Sequence, residues 1–199
     1  QRVDDIRGHR IDRLEAIRDL KVRQVENWIE ERLGDGKIVA QSQEIENFIK
    51  SLESEQLTEF KQESANATRG LLDLYLDGFD SYDELFLLDR VSGNVLISTN
   101  RSDEGNLKAD YPYFAETLEK RKTVLSDIYF SKTLLKPSMV VSTPIFDRNK
   151  KNKIIALLVA RIDLENTIYE LLQDRTGLGE TGETLIVNKE GYALNELRW

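Results

Sequence analysis

The sequence predicts an α+β fold, in which a long N-terminal helix is followed by a five-stranded antiparallel sheet with flanking helices. Two patterns predict it. Over residues 2–33, apolar residues recur mostly at gaps of three or four, which is the period of an amphipathic helix. Between residues 82 and 162, short apolar runs alternate with polar turns, as in strands joined by hairpins.

Composition narrows the classes of function. The 199 residues suffice for one domain and part of a second. The net charge of −8 argues against nucleic acid and anionic membrane surfaces as partners, because both attract clustered Lys and Arg. The absence of cysteine excludes disulfides, thiolate zinc sites and cysteine nucleophiles, and we expect neither a metal nor a cofactor.

No membrane span is expected within the chain. Its longest apolar run, Ile154 to Ala160, has seven residues, whereas a helical span needs roughly 20. The first residues, QRVDDIRGHR, do not have the apolar segment of a signal peptide. We therefore expect the chain to begin within a helix of a longer protein, whose membrane anchor lies outside these residues.

The N-terminal helix is predicted to cover residues 2–33 and to end at Gly34-Asp35-Gly36. At roughly 1.5 Å per residue it is about 45 Å long, which is more than a small domain needs. Two interpretations stay open. The helix covers a core, or it is a stalk that dimerises or carries a signal.

The remaining elements follow in order. Further helices are predicted at about 38–50, at 54–76 with Ser54 as N-cap and Gly78 at the end, at Tyr113–Glu119 and at Leu164–Gln173. Strands are predicted at Tyr82–Asp89, at Asn94–Thr99 and at about 122–130, 138–147 and 153–162.

The C-terminal segment contains two further patterns. Gly177 to Gly182 matches GxGxxG, but a helix precedes it and a strand follows, the reverse of a dinucleotide site, so we interpret it as a hinge. Residues Glu183 to Leu194 repeat the pattern of Glu84 to Leu96 and predict a second, related hairpin. The predicted units are a helical stalk (1–50), a sensor module (51–174) and the start of a second, truncated module (175–199).

No catalytic motif is visible, and we expect a binding module and not an enzyme. The single histidine, His9, lies in an Arg-rich helical segment and is expected on the surface. Aromatic residues cluster at the start of the short helix and on the strand after it, where Asp127 and Tyr129 share one face by alternation. They form either a ligand pocket or an aromatic core. The candidate ligand-binding residues are Tyr111, Tyr113, Phe114, Asp127, Tyr129, Ser131 and Asp163.

Several segments together resemble the double Cache sensor domains of microbial histidine kinases and chemoreceptors, which lie outside the cytoplasm and have a PAS-like sheet. These segments, in chain order, are VENWIEERLGD, LLDRVSGNVLIST, YPYFAETL, LSDIYFSKTLLKPSMVVSTPIFD, IIALLVARIDL and GLGETGETLIVNKEGYALNELRW. The resemblance implies that a small molecule binds between the sheet and a capping helix.

Family members that bind amino acids carry an Arg two positions before an aromatic pair, a position held here by Tyr111. They also carry a Tyr and an Asp two apart on the next strand, matched here by Tyr129 and Ser131, and a last-strand Asp, matched by Asp163. Two of the charged groups are therefore missing. The resemblance implies a less charged ligand, an acid held by Lys132 or Lys136, or no ligand.

The resulting hypothesis is an extracellular or periplasmic sensor domain of a membrane receptor, with a small-molecule ligand and a homodimer formed through the N-terminal helix. A sensor histidine kinase, with its catalytic domain elsewhere, is favoured by the LNELRW ending. The alternatives are a chemoreceptor and a structural or dimerisation module without a ligand.

Overall fold

The computed structural model describes residues 2–54, 57–131, 134–150, 152–179, 182–187, 191, 193 and 195, with the backbone alone for residues 2–7. It confirms the α+β class. The helices are α1 (Arg2–Ala40), α2 (Gln43–Glu53), α3 (Thr58–Gly78), α4 (Pro112–Lys120) and α5 (Glu170–Gln173). The strands are β1 (Tyr82–Asp89), β2 (Val95–Ser98), β3 (Val124–Leu125), β4 (Tyr129–Ser131), β5 (Lys136–Phe146) and β6 (Ile154–Ile162).

The described residues form an antiparallel sheet in the order β2-β1-β6-β5-β3, and β4 also pairs with β5. The sheet has six strands because the expected strand at 122–130 is divided into β3 and β4. At the break, the hydroxyl of Ser126 accepts a hydrogen bond of 2.9 Å from the backbone N–H of Val140. A side chain thus replaces a carbonyl in the ladder, and the strand is interrupted.

This break corrects the expectation for Asp127. The residue lies between β3 and β4, outside any strand, and its side chain is exposed. Alternation along a strand therefore does not place Asp127 on one face with Tyr129.

The two faces of the sheet have different partners. On one face, Phe86, Val140 and Val159 form a core cluster with Tyr113 and Phe114 of α4. On the other face, Val141 and Thr143 of β5 lie against Gly36 of α1. Alternation along β5 thus separates a face covered by α4 from a face covered by α1.

The expected end of α1 at Gly34-Asp35-Gly36 is wrong, because the helix continues to Ala40. Packing explains the continuation. A Cβ on Gly36 would lie 2.6 Å from Thr143 Oγ1, so glycine lets the helix approach the sheet closely. Asp35 accepts hydrogen bonds from Arg32 Nε at 3.0 Å and from the Tyr82 hydroxyl at 2.9 Å, which tie the same turn to the domain.

The predicted N-cap Ser54 is also wrong, since Ser54 terminates α2 instead. Its hydroxyl donates a hydrogen bond of 2.9 Å to the carbonyl of Ser51. Helix α3 begins at Thr58, after Leu57, which offers no side-chain cap. It ends at Gly78, as expected.

The chain divides into two compact units, residues 31–163 and residues 1–30 with 164–199. In the second unit, Lys21 donates hydrogen bonds to the Leu171 carbonyl at 2.7 Å and to Asp174 at 3.2 Å. A π-helical turn, Glu165–Tyr169, precedes α5.

The predicted second hairpin is described in part. An isolated antiparallel bridge joins Val187 to Ala193. Residues 180, 181, 188–190, 192, 194 and 196–199 of this predicted hinge and hairpin lie outside the described residues. The unit boundaries 1–50, 51–174 and 175–199 stay a prediction. Of the helices described, none has the length and apolar character to cross a membrane.

Candidate functional site

A buried arginine on β6 lies at the centre of the site. The side chain of Arg161 is 3% exposed although its strand is otherwise apolar. Its guanidinium pairs with the carboxylate of Glu84, which faces it across the β1–β6 ladder. The Ser98 hydroxyl donates a hydrogen bond of 2.5 Å to the same carboxylate, so β1, β2 and β6 meet at these polar groups.

A second buried pair lies beside the first. Lys108 Nζ is 2.8 Å from Asp103 Oδ1, and both side chains are buried. The other oxygen of Asp103 is 3.8 Å from Arg161 Nη2. Lys108 and Arg161 also lie at 6.0 Å and 5.7 Å from the ring centroid of Phe86. At these distances the electron-rich face of the ring attracts both cations.

The four charges of this cluster cancel, since Glu84 and Asp103 face Lys108 and Arg161. Buried charges cost several kcal/mol of desolvation each unless they are paired and hydrogen-bonded. Arg161 Nε nevertheless has no hydrogen-bond acceptor among the described residues. A buried donor without a partner costs about 1–3 kcal/mol, so this N–H is suited to receive an acceptor from a ligand.

Three tyrosines lie together beside this cluster of charges. The ring centroid of Tyr111 lies 5.6 Å from that of Tyr113 and 5.2 Å from that of Tyr129, and the latter two are 6.0 Å apart. Tyr111 and Tyr113 flank the start of α4, and Tyr129 begins β4. The three rings, with Tyr113 fully buried, provide apolar surface with polar ends.

Burial controls the protonation of these groups. It raises the pKa of Tyr113 far above the usual range and that of Tyr129 to about 12, with the charge of Arg161 acting in the opposite direction. Burial likewise raises the pKa of Glu84 against the pull of Arg161. Burial also acts upward on Asp103, but hydrogen bonds from Lys108 and Asn106 outweigh it and lower the pKa. The phenols of Tyr113 and Tyr129 are therefore neutral at physiological pH and can act as hydrogen-bonding groups.

A cavity of about 270 Å³ opens onto the same cluster. Glu84 and Arg161 line it from the sheet, and Leu134 lies in the segment between β4 and β5. Lys136 and Asp83 also line it, and their charged groups pair at 3.1 Å. Leu135 has a positive φ of 54°, an uncommon conformation for a residue with a side chain.

A model of the Cache domain family, dCache_1, matches residues 12–196, nearly the whole chain. The chain belongs to the Cache domain family. No match is found among curated proteins.

Solved Cache sensor domains share the fold. The sensor domain of the histidine kinase DctB from V. cholerae is 17% identical, with a TM-score of 0.63, over 79% of this chain and 57% of that one. The ligand-binding domain of the Campylobacter jejuni chemoreceptor Tlp3, in complex with L-norvaline, is also 17% identical, with a TM-score of 0.66, over 89% of this chain and 65% of that one.

A third neighbour is the ligand-binding domain of the Pseudomonas aeruginosa PAO1 amino acid chemoreceptor PctC, in complex with GABA. It is 15% identical, with a TM-score of 0.63, over 92% of this chain and 73% of that one. This Cache chain spans less than two thirds of the DctB and Tlp3 domains. Neighbours thus include sensor domains of both kinases and chemoreceptors.

The predicted ligand-binding residues of this Cache domain have different surroundings. Tyr111, Tyr113 and Tyr129 lie together, and Phe114 belongs to the same core cluster. Ser131 is buried at the end of β4, where its hydroxyl accepts a hydrogen bond of 3.2 Å from the N–H of Leu134.

The two predicted acidic residues are placed differently. Asp163 directly follows β6, two positions after Arg161, and its N–H donates to the Ser81 carbonyl at 3.0 Å. Asp127 has no hydrogen bond or ion pair to the tyrosines among the described residues. Lys132, the other expected anion-binding residue besides Lys136, lies outside the described residues.

Sequence reasoning did not identify the four buried charges Glu84, Asp103, Lys108 and Arg161. A signal existed for two of them. Arg161 interrupts the apolar run IIALLVARI, and Glu84 lies within YDELFLLD, where a strand buried on both faces should be apolar. For Asp103 and Lys108 no such signal exists, because both lie in the polar loop between β2 and α4.

Proposed function

We propose that this Cache chain is the extracytoplasmic sensor domain of a membrane receptor, and that a small polar molecule binds between α4 and the sheet. The observation that carries the proposal is Arg161, a buried guanidinium beside Tyr129 with one N–H lacking an acceptor in the described structure. In a core that served packing alone, apolar side chains in place of this cluster would be at least as stable.

The charge balance of the site supports a ligand without net charge, such as a zwitterion or a neutral polar molecule. Two carboxylates and two cations already cancel, so a charged ligand would leave an unpaired charge in a buried site. The neighbouring Tlp3 domain is in complex with L-norvaline and PctC with GABA, and both compounds are zwitterionic amino acids. In this chain Tyr111 and Tyr129 would enclose the apolar part, and Arg161 would donate to an acceptor.

Strand β5 connects this site to α1. Val140 and Arg161 face the ligand side, whereas the next residues along β5, Val141 and Thr143, contact Gly36 of α1. Ligand binding that draws α4 towards the sheet would shift β5 and thereby α1. The difference in ligand affinity between the two states sets the size of the signal.

A homodimer formed through α1 is part of the proposal. Ile11, Leu14, Leu20 and Val22 of this helix are each about half exposed, between 48% and 56%. Apolar residues on an exposed helix are stabilised by a partner helix of the same kind. A second copy of the chain would supply it.

The receptor proposed is a sensor histidine kinase, with its catalytic domain in another part of the protein. The DctB sensor domain supports this output. The chemoreceptors Tlp3 and PctC support chemotaxis as the second candidate. Assay of the full-length protein for ATP-dependent autophosphorylation distinguishes the two, because only the kinase labels itself.

A thermal-shift screen of a metabolite library tests ligand binding. A compound at roughly 100 times its dissociation constant adds about 2.7 kcal/mol of stability. Tyr129→Ala, which removes a ring that encloses the ligand, should abolish the shift of a true ligand, whereas Tyr75→Ala, which removes a ring from α3, should not. If no compound in a broad library stabilises the domain, the module without a ligand becomes the better account.

A further inference from the structure

A second cavity lies on the face of the sheet that α1 covers. Its volume is about 690 Å³, and it is lined by the end of α1, the start of α2 and the C-terminal half of β5. Lys37, Ser42, Thr143 and Ile145 are among the lining residues. None of the residues that line it belongs to the ligand site described above.

Positive potential is concentrated in this cavity. Lys37 and Lys122 line it and form no ion pair with any described residue. The carboxylates there are already neutralised. Glu46 lies 2.5 Å from Lys50 and 3.0 Å from Arg148, and Asp147 lies 3.1 Å from Lys50. An anion in the cavity would therefore meet two uncompensated ammonium groups.

Helix α2 begins at the cavity, and Ser42 and Glu46 from its first turn line it. Its N-cap Ser42 gives no side-chain cap, because its hydroxyl donates a hydrogen bond of 2.6 Å to Glu44. The N-terminus of this 11-residue helix carries a partial positive charge, but the carboxylates of Glu44 and Glu46 in its first turn offset it, so an anion here depends on the lysines.

Thr143 provides an independent indication of a ligand. The residue is 4% exposed, lines the cavity, and its hydroxyl has no hydrogen-bond partner among the described residues. Buried hydroxyls in folded proteins almost always have a partner. Its position opposite Gly36, where any larger residue would fill the space, keeps this hydroxyl close to α1.

Part of the lining is apolar. Ala40, Pro144, Ile145 and Phe146 border the cavity, and Ile145 is fully buried. We propose that this cavity binds a small organic acid, with the carboxylate held by Lys37, Lys122 and Thr143 and with a short apolar tail against Ile145 and Phe146. Because the site contacts α1, such an acid would provide a second input to the helix that carries the signal.

Titration of the ¹⁵N-labelled chain with hexanoate, at constant ionic strength, tests the proposal. Hexanoate should shift the backbone amides of Ser42, Gln43 and Thr143 to Phe146, whereas the neutral isostere hexanamide should not. The double variant K37Q/K122Q should weaken hexanoate binding about tenfold or more. Lys61→Gln, which removes a charge from α3 outside the cavity, serves as the matched control and should bind as the wild type does.

Thr143→Val tests the hydroxyl at nearly constant volume. This variant should bind hexanoate more weakly, while the amide spectrum of the free domain should still be that of a folded protein. Equal shifts from hexanamide, or unchanged binding in K37Q/K122Q, would overturn the proposal. Equal binding of inorganic phosphate would show that charge alone is recognised and would overturn the organic-acid class. Shifts confined to Tyr111, Tyr129 and Arg161 would assign hexanoate to the first site instead.

Discussion

Arg161 contacts both the buried carboxylates of Glu84 and Asp103 and the phenol of Tyr129. Its removal leaves the Glu84 carboxylate buried without its cation. Removing one partner of a buried ion pair lowers the free energy of unfolding by about 3–5 kcal/mol, whereas replacing both partners by apolar groups often leaves it unchanged. The energetic role of the pair can therefore be separated from a role in binding.

We predict that Arg161→Met lowers the free energy of unfolding by about 3 kcal/mol, the lower end of that range, because Glu84 with its raised pKa takes up a proton. The double variant R161M/E84L should recover most of this loss and still bind no ligand. Urea unfolding gives the free energies. A single-variant loss below about 1 kcal/mol would contradict a buried, fully desolvated pair.

Tyr129 gives a prediction that pH can test. Burial raises its folded pKa to about 12, above the value of about 10 for an exposed tyrosine. The neutral phenol therefore contributes stability that is complete below pH 10 and is lost as the pH rises towards 12. The ultraviolet absorbance of the wild type minus that of Tyr129→Phe reports the tyrosinate form of Tyr129, which should appear near pH 12. Its appearance near pH 10, with the domain still folded, would show an exposed phenol.

At the scale of elements, the contact between α1 and β5 depends on one glycine. A methyl carbon on Gly36 would lie 2.6 Å from Thr143 and 2.9 Å from Val141, whereas a methyl carbon on Gly34 would have no atom within 4 Å. The two glycines belong to the same helix and differ in what they face. They form a matched pair for mutation.

We predict opposite effects of the two substitutions to alanine. Gly34→Ala should stabilise the domain by about 0.5–1 kcal/mol through helix propensity. Gly36→Ala should destabilise it by about 1–3 kcal/mol, because the methyl group forces α1 from β5. Thermal or urea unfolding of the two variants measures both. Stabilisation by Gly36→Ala would show that the helix does not pack on Thr143.

Local patterns predicted most elements, and tertiary contacts explain the differences. The apolar runs of β1 and β6 and the helical period of α1 were visible in the sequence. Gly34-Asp35-Gly36 resembled a helix end because a local pattern cannot show that Gly36 meets Thr143. The division of strand 122–130 likewise depends on Ser126, whose hydroxyl replaces a backbone acceptor for Val140.

The candidate site was predictable only in part. Tyr111, Tyr113 and Tyr129 were identified from aromatic clustering and family resemblance, and they lie together. The charges beside them come from β1, β6 and the loop before α4, so their meeting is fixed by strand order and not by spacing. Strand order is a property of the whole sheet, which no short motif records.

At the scale of the whole molecule, the proposed dimer makes α1 the element that transmits the signal. We predict that the chain sediments as a dimer and that Leu14→Glu shifts it to monomer, because a carboxylate replaces a half-exposed apolar residue of the helix. Val91→Glu changes an even more exposed apolar residue in the β1–β2 turn and should leave the dimer intact. If the wild-type chain is monomeric even at high concentration, the proposed dimer through α1 is wrong.

The most direct test of the sensor account is the position of a bound ligand. A crystal structure of the chain with a compound found by the thermal-shift screen should show it between α4 and the sheet. Its rings or methyl groups should contact Tyr111 and Tyr129, and an acceptor should lie within hydrogen-bond distance of Arg161 Nε. A stabilising ligand located away from Arg161 and the three tyrosines would contradict the account.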